Sequence, residues 1–151
     1  MKLNFYACIN LTLFALPYIK KSPHRGIIAI TSSISGLISP PFRTAYCASK
    51  HALHGFFDSL RNEYGDDISF DICMLCPSWV DSGIRDRHLK GDQSQYQVQK
   101  KNRIMPLEKC IHIIVLAVAN RKRLELFTFR NSFGYFMSVV YPEYTDNLLK
   151  Q

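Results

Sequence analysis

Apolar runs typical of strands alternate with long stretches of helical periodicity, and this alternation constrains the fold more than any other feature of the sequence. Residues 26–31 and 69–76 are continuous apolar runs bounded by turn residues, as in strands that are buried on both faces. Between them, residues 43–64 repeat apolar side chains at helical spacing. Two strands joined by a helix of that length form a right-handed crossover and pair in parallel. The sequence therefore predicts an α/β fold with a parallel sheet.

The same pattern continues on either side of this unit. Helices are predicted over residues 3–20 and 106–120, and a third strand over residues 124–129. The first helix is apolar on nearly all sides, so we expect both of its faces to be buried. With about three strands in the sheet, the first strand has no partner along one edge.

An unpaired edge indicates part of a larger sheet. We therefore expect the second half of a doubly wound Rossmann-type fold, with about three parallel strands, flanking helices and the amino-terminal half absent. Residues 1–151 would form this single partial domain, since a chain of 151 residues is one domain or part of one.

The distribution of charge argues against a nucleic-acid partner. The 19 Lys and Arg residues outnumber the 12 Asp and Glu residues, but they form short, scattered clusters. A nucleic-acid-binding surface more often has a basic stripe interleaved with exposed aromatic residues. Five cysteines without secretory features fit a reducing compartment, so we expect a cytoplasmic protein. The aromatic-rich residues 127–144 leave an association with a membrane surface open.

No metal site is predicted. Cys73 and Cys76 are three residues apart on a predicted strand and therefore point to opposite faces, which argues for buried free thiols. His51 and His54 lie three apart on the predicted central helix without the further ligands that a metal needs. We expect both histidines to pack or to contact another subunit.

Three side chains that suit proton transfer follow the first predicted strand. Ser33 lies at the carboxyl end of that strand, and Tyr46 and Lys50 lie one turn apart on the next helix. Ligand crevices of open α/β sheets form at the carboxyl ends of the strands, so all three can converge on one cleft. A free tyrosine has a pKa of about 10, and a neighbouring ammonium favours the phenolate. Tyr46 can then exchange a proton with an alcohol or a carbonyl oxygen that Ser33 holds.

A tyrosine and a lysine at this spacing are, taken alone, more often surface residues. The surrounding segments, TSSISG at 31–36 and AYCASKHALHGFF at 45–57, favour the chemical interpretation. Together they resemble the short-chain dehydrogenase/reductase family, with the nearest likeness to members related to 11β-hydroxysteroid dehydrogenase. The resemblance covers nearly the whole chain but only the second half of the family fold.

The resemblance implies a role for four catalytic residues. Ser33 matches the substrate-orienting serine and Tyr46 the acid/base. Lys50 matches the lysine that contacts the cofactor ribose and tunes the tyrosine. Asn4 matches the helix asparagine that helps to hold a proton-relay water.

The resemblance also implies where a nicotinamide cofactor lies. The family has a Pro-Gly-x-Val-x-Thr pattern under the nicotinamide after the second of these strands, and residues 77–82 match it. Beside Tyr46 and Lys50, the implied cofactor contacts are Pro77, Ser78, Val80 and Ser82. A serine at 78 departs from the family glycine and can crowd the cofactor. Residues 83–105 match the family's mobile substrate lid.

One part of a dinucleotide site does not occur in the sequence. The family binds the pyrophosphate with backbone N–H groups of a glycine-rich turn and of the following helix N-terminus, and no such turn occurs here. The implied cofactor is NADP or NAD, with NADP slightly favoured by the resemblance. We expect this chain alone to bind it weakly and to be a truncated form.

Two functions remain open, so whether the chain as given is an enzyme is undecided. The first is an NAD(P)-dependent oxidoreductase, a homodimer in the family's manner, that interconverts a lipophilic alcohol and a ketone or aldehyde. The alternative is a catalytically inactive fragment or interaction module that pairs with a full-length relative. It would use the helices at 3–20 and 43–64, which build a four-helix interface in the family. A membrane-surface role is the least favoured interpretation.

Overall fold

A parallel sheet organises the computed structural model, which describes residues 1–65, 69–82 and 104–150. The strands of these residues are β1 (Gly26–Thr31), β2 (Phe70–Cys76), β3 (Val80–Asp81), β4 (Met105–Pro106) and β5 (Leu124–Leu126). β1, β2 and β5 form a sheet in the order β1-β2-β5, with both pairs parallel. The α/β class and the parallel pairing predicted from the sequence are confirmed.

Helices flank this sheet on both faces. The described α-helices are α1 (Ala7–Lys21), α2 (Thr44–Tyr64), α3 (Leu107–Ala119), α4 (Phe129–Val140) and α5 (Pro142–Leu149). A π-helical turn, Lys2–Tyr6, leads into α1, and a 3-10 turn, Ile34–Gly36, follows β1. α2 joins β1 to β2 and provides the crossover connection that a parallel pair requires.

Alternate residues of β2 face two separate cores. Ile72 and Met74 pack with Leu53 and Phe57 of α2, on the face that also contacts α1. Their neighbours Cys73 and Leu75 pack on the other face, in a cluster that includes Cys110 and Ala117 of α3. The predicted burial of this strand on both faces is thus confirmed.

The prediction that β1 is buried on both faces was wrong. Ile28 and Ile30 are buried beneath α1 and α2, but Ala29 and Thr31 on the opposite face are exposed. β1 lies at the edge of the described sheet, and α3 packs mainly over β2, so little within the described residues covers this second face.

The expectation that the first helix is buried on both faces was also wrong. α1 buries Ile9, Thr12 and Leu16, which share one helical face. The side chains of Leu11, Phe14 and Tyr18 on the other faces are exposed. Apolar composition does not distinguish a helix that protein encloses on all sides from a helix that packs on a sheet and exposes an apolar outer face.

The end of the chain contains two helices, α4 and α5. No helix among the described residues has the length and apolar character needed to cross a membrane. In the same ranges, no set of three or more His, Cys, Asp or Glu side chains is grouped to hold a metal ion. Cys73 and Cys76 are both buried free thiols, as predicted.

Candidate active site

Lys50 joins β1, which precedes Ser33, to α2, which carries Tyr46. Its Nζ donates a 3.0 Å hydrogen bond to the carbonyl oxygen of Thr31, the last residue of β1. The same Nζ lies 5.9 Å from the centroid of the Tyr46 ring, one turn earlier on α2. Burial lowers the pKa of Lys50 below its ordinary value. The ammonium therefore lies at the carboxyl end of β1, beside the phenol.

Tyr46 lies in the first turn of α2, which begins at Thr44. The residue is 37% exposed, although α2 is otherwise anchored to the sheet by Leu53 and Phe57. Tyr46 is therefore accessible to a ligand, while the helix that carries it is packed against the sheet.

Ser33 follows β1 after one residue and is buried. Its Oγ accepts a 3.1 Å hydrogen bond from the Ser35 N–H and donates a 3.5 Å bond to the Pro77 carbonyl oxygen. The Ile34 N–H also donates to that carbonyl, at 3.0 Å. The structure therefore brings Ser33 together with Pro77, the first residue of the predicted cofactor segment.

Asn4 lies in the π-helical turn that precedes α1. Its Nδ2 donates a 3.2 Å hydrogen bond to the Ser49 hydroxyl, which in turn donates at 2.7 Å to the carbonyl oxygen of Tyr46. Asn4 is therefore connected to the backbone of the predicted acid/base residue. π-Helical turns are rare and occur often at functional sites, and nothing in the sequence analysis predicted this one.

The remaining predicted cofactor residues follow β2 directly. Pro77, Ser78 and Val80 are half-buried, and Ser82 is exposed. Val80 lies in β3 and pairs with Met105 of β4. Most of the predicted lid, residues 83–103, lies outside the described residues.

The residues at this edge fit the nicotinamide end of a dinucleotide. They provide an ammonium on Lys50 that can donate to ribose hydroxyls, and the half-buried segment of Pro77 and Ser78 at the carboxyl end of a parallel strand. They fit the pyrophosphate less well, since the sequence has no glycine-rich turn to supply N–H donors.

A buried polar cluster that the sequence analysis missed lies beside this site. Ser32 Oγ and His54 Nε2 are 3.0 Å apart and share a hydrogen bond, and Cys76 Sγ lies 3.6 Å from the same nitrogen. Burial lowers the pKa of His54 and raises the pKa of Cys76 to about 12. The cluster is therefore uncharged at neutral pH. His54 was expected to pack, and it is buried. Its spacing of four from Lys50 was the one sequence signal that placed it on the same helix face as the candidate site.

His54 should make the chain less stable in acid. Burial lowers its folded pKa below the unfolded value of about 6.5, so the unfolded chain takes up the proton first. Its contribution to stability is complete above that value and is lost as the pH falls below it. Urea unfolding at successive pH values should show a smaller acid loss for His54→Gln than for the wild type. His112→Gln, which changes an exposed ring on α3, should keep the wild-type loss. Equal acid losses in all three proteins would contradict this assignment.

A parallel sheet whose strands β1 and β2 are joined by a crossover helix, with polar side chains at the carboxyl ends of those strands, is typical of the Rossmann type. Residues 1–93 match the sequence profile of the family described as short chain dehydrogenase. The chain therefore belongs to the short-chain dehydrogenase family, as its motifs indicated.

Individual relatives support the same assignment. The chain is 31% identical over 148 residues to "Dehydrogenase/reductase SDR family protein 7-like" of Dictyostelium discoideum, covering 98% of this chain and 45% of that protein. It is 34% identical over 133 residues to "11-beta-hydroxysteroid dehydrogenase-like 6" of Arabidopsis thaliana, covering 82% of this chain and 37% of that protein. The chain thus spans less than half the length of both curated relatives.

A solved structure shows the fold. This chain is similar to the short chain dehydrogenase of Burkholderia cenocepacia J2315 in complex with NADP, with a TM-score of 0.79. The alignment covers 100% of this chain and 57% of the Burkholderia chain. At 13% sequence identity, the likeness concerns the fold alone. It confirms the predicted fold class, in which this chain corresponds to one half of the larger sheet.

Proposed function

We propose that this chain is the catalytic half of an NAD(P)-dependent oxidoreductase that interconverts a lipophilic alcohol and a ketone or aldehyde. The observation that carries the proposal is the position of Lys50 Nζ, 3.0 Å from the Thr31 carbonyl oxygen and 5.9 Å from the centroid of the Tyr46 ring. A cation beside a phenol favours the phenolate, which a proton acceptor requires. Ser33, two residues after Thr31, lies at the same strand end.

In the proposed reaction Tyr46 transfers the proton. Its hydroxyl donates to the carbonyl oxygen of a bound ketone or aldehyde, and its phenolate accepts the proton of an alcohol in the reverse direction. A nicotinamide cofactor, when bound, supplies or accepts the hydride. The Ser33 hydroxyl orients the substrate oxygen, exchanging its long 3.5 Å bond to the Pro77 carbonyl for one to the substrate.

Lys50 and Asn4 support the tyrosine in this proposal. Lys50 holds the ammonium near the ring and donates to the cofactor ribose. Asn4 supports the first turn of α2 through Ser49 and helps to hold a relay water beside Lys50. Pro77, with the three further residues of the cofactor segment, would lie under the nicotinamide: Ser78, Val80 and Ser82.

The relatives bear on the choice of cofactor and substrate. The Burkholderia cenocepacia structure contains NADP and the Burkholderia phymatum structure contains NAD, so the slight preference for NADP rests on the family resemblance alone. The name of the Arabidopsis thaliana relative refers to a hydroxysteroid, an apolar alcohol, which favours a lipophilic substrate. Phe42, four residues before Tyr46, is 72% exposed and offers an apolar surface to such a substrate.

A second candidate function is pairing with another copy or with a full-length relative. The outer side of α1 favours it, because Leu11, Phe14 and Tyr18 are each about 70% exposed there. Clustered exposed apolar side chains are typical of interaction surfaces. α2 would complete the four-helix interface implied by the family.

The chain alone should bind NADPH only weakly. It has no glycine-rich turn to hold the pyrophosphate, so only the nicotinamide end of the site contributes. Fluorescence titration with NADPH and with NADH should show no saturation in the micromolar range. Micromolar affinity would show that the described residues bind the cofactor without that turn.

Turnover is tested by supplying the other half of the fold. The part of the Dictyostelium discoideum relative that precedes its matched segment is joined in frame to the amino terminus of this chain. We call the product the fused protein. It should bind NADPH and reduce lipophilic ketones. If it bound NADPH tightly but reduced no carbonyl in a panel of apolar ketones and aldehydes, the oxidoreductase proposal would be wrong. The pairing function would then be favoured.

A further inference from the structure

Three residues on one face of α2 lie toward the end of β1. Tyr46, Lys50 and His54 are spaced four apart, so their side chains form one line along the helix. Lys50 binds the carbonyl oxygen of Thr31, and His54 shares a 3.0 Å hydrogen bond with the hydroxyl of the next residue, Ser32. Two successive turns of α2 therefore hold two successive residues at the strand end.

The contact between His54 and Ser32 is enclosed on several sides. Gly36, in the 3-10 turn, passes so close that a Cβ there would lie 2.9 Å from His54 Cδ2 and 2.9 Å from Ser32 Oγ. Cys76, the last residue of β2, places its Sγ 3.6 Å from His54 Nε2. The ring and the hydroxyl are both buried. Since there is no room for another side chain at Gly36, the turn can pack in this way only with glycine at that position.

The loop that follows β1, residues 32–36, is attached to β2 by backbone hydrogen bonds. Its hydrogen bond to α2 is made by side chains. The Ser32 N–H donates to the Leu75 carbonyl oxygen at 2.8 Å, and the Ile34 N–H donates to the Pro77 carbonyl oxygen at 3.0 Å. Neither contact involves α2, the helix that carries the tyrosine. His54 supplies a link between Ser32 and that helix.

We propose that His54 is a positioning residue: by holding the Ser32 hydroxyl, its ring sets the position of Ser33 relative to Tyr46. The catalytic consequence rests on the proposed function, in which Ser33 and Tyr46 act on one substrate oxygen. The placement of the loop does not rest on it. One hydrogen bond joins the two side chains in either ring tautomer.

Amide hydrogen exchange of the full chain tests the placement. The Ser35 N–H, which donates to Ser33 Oγ, reports the loop, and the Met74 N–H, which donates to the Arg123 carbonyl oxygen, reports the sheet. His54→Leu should speed Ser35 exchange about three- to tenfold relative to Met74, as loss of one hydrogen bond predicts. His54→Gln, whose amide reaches the place of Nε2, should restore the slower rate.

Two outcomes would overturn the placement. Parallel acceleration of both amides in His54→Leu would indicate a merely structural histidine, and unchanged Ser35 exchange would indicate that the bond does not hold the loop. His51→Leu removes an exposed ring from the same helix and should change neither rate.

Turnover of the fused protein tests the consequence for catalysis. His54→Leu should lower kcat by about ten- to a hundredfold, the effect of a small misplacement of a catalytic group, and leave NADPH affinity unchanged. His54→Gln should recover most of the lost kcat. Normal kcat in His54→Leu would overturn the catalytic consequence. If even the unsubstituted fused protein lacked turnover, the proposed function would have failed, and hydrogen exchange would still decide the placement.

Discussion

Tyr46→Phe is expected to lower kcat of the fused protein about 100- to 10,000-fold and to leave its affinity for NADPH largely unchanged. The substitution removes only the hydroxyl. The ring, 5.9 Å from Lys50 Nζ, and the first turn of α2 keep their packing. The loss should therefore appear in the proton-transfer step, measured as kcat for ketone reduction at saturating NADPH.

Tyr18→Phe is a matched control for this substitution. Tyr18 is an exposed tyrosine on α1, and removing its hydroxyl should change neither kcat nor NADPH affinity. Turnover that survived Tyr46→Phe would mean that another group transfers the proton, and the assignment of the acid/base would be wrong.

Lys50→Met is expected to lower kcat about 100- to 1,000-fold, as removal of one preorganised hydrogen-bond donor does in other active sites. Methionine keeps an unbranched apolar stem but removes the ammonium beside Tyr46 and the bond to the Thr31 carbonyl oxygen. Because burial lowers the pKa of Lys50, the fold disfavours its charge, and the variant should still fold. Far-UV circular dichroism checks this.

Lys50→Arg separates charge from geometry. Arginine keeps the positive charge, but its planar group cannot match the compact ammonium, so we expect an activity between those of Lys50→Met and the wild type. A Lys50→Met variant with near-normal kcat and normal NADPH affinity would contradict any role for the lysine in this site.

Strong local patterns in the sequence predicted the central elements. β1, β2 and α2 were predicted to within one residue at each end, because continuous apolar runs and helical periodicity persist over their whole lengths. The β3–β4 pair was not predicted, since strands of two residues, Val80–Asp81 and Met105–Pro106, show no periodicity. The exposed outer face of α1 depends on what surrounds the helix, which no pattern within residues 3–20 encodes.

The candidate site was predictable where residues close in sequence form it. The spacing of four between Tyr46 and Lys50 places them on one face, and the strand end places Ser33 beside that helix. The contact between Ser32 and His54 was missed because it depends on the close approach of Gly36 to both side chains. Gly36 lies 18 residues before the histidine, and a glycine in the sequence does not show what packs against it. The catalytic and cofactor roles of these residues stay predictions.

The central claim is that Tyr46 and Lys50 work as one unit in proton transfer, and a double variant tests it most directly. The measurement is kcat of the fused protein at saturating NADPH for Tyr46→Phe, for Lys50→Met and for both together. A lysine that acts through the tyrosine has nothing left to act on once the hydroxyl is gone, so the double variant should be no slower than Tyr46→Phe alone. Losses that multiply, as for two independent groups, would contradict the claim.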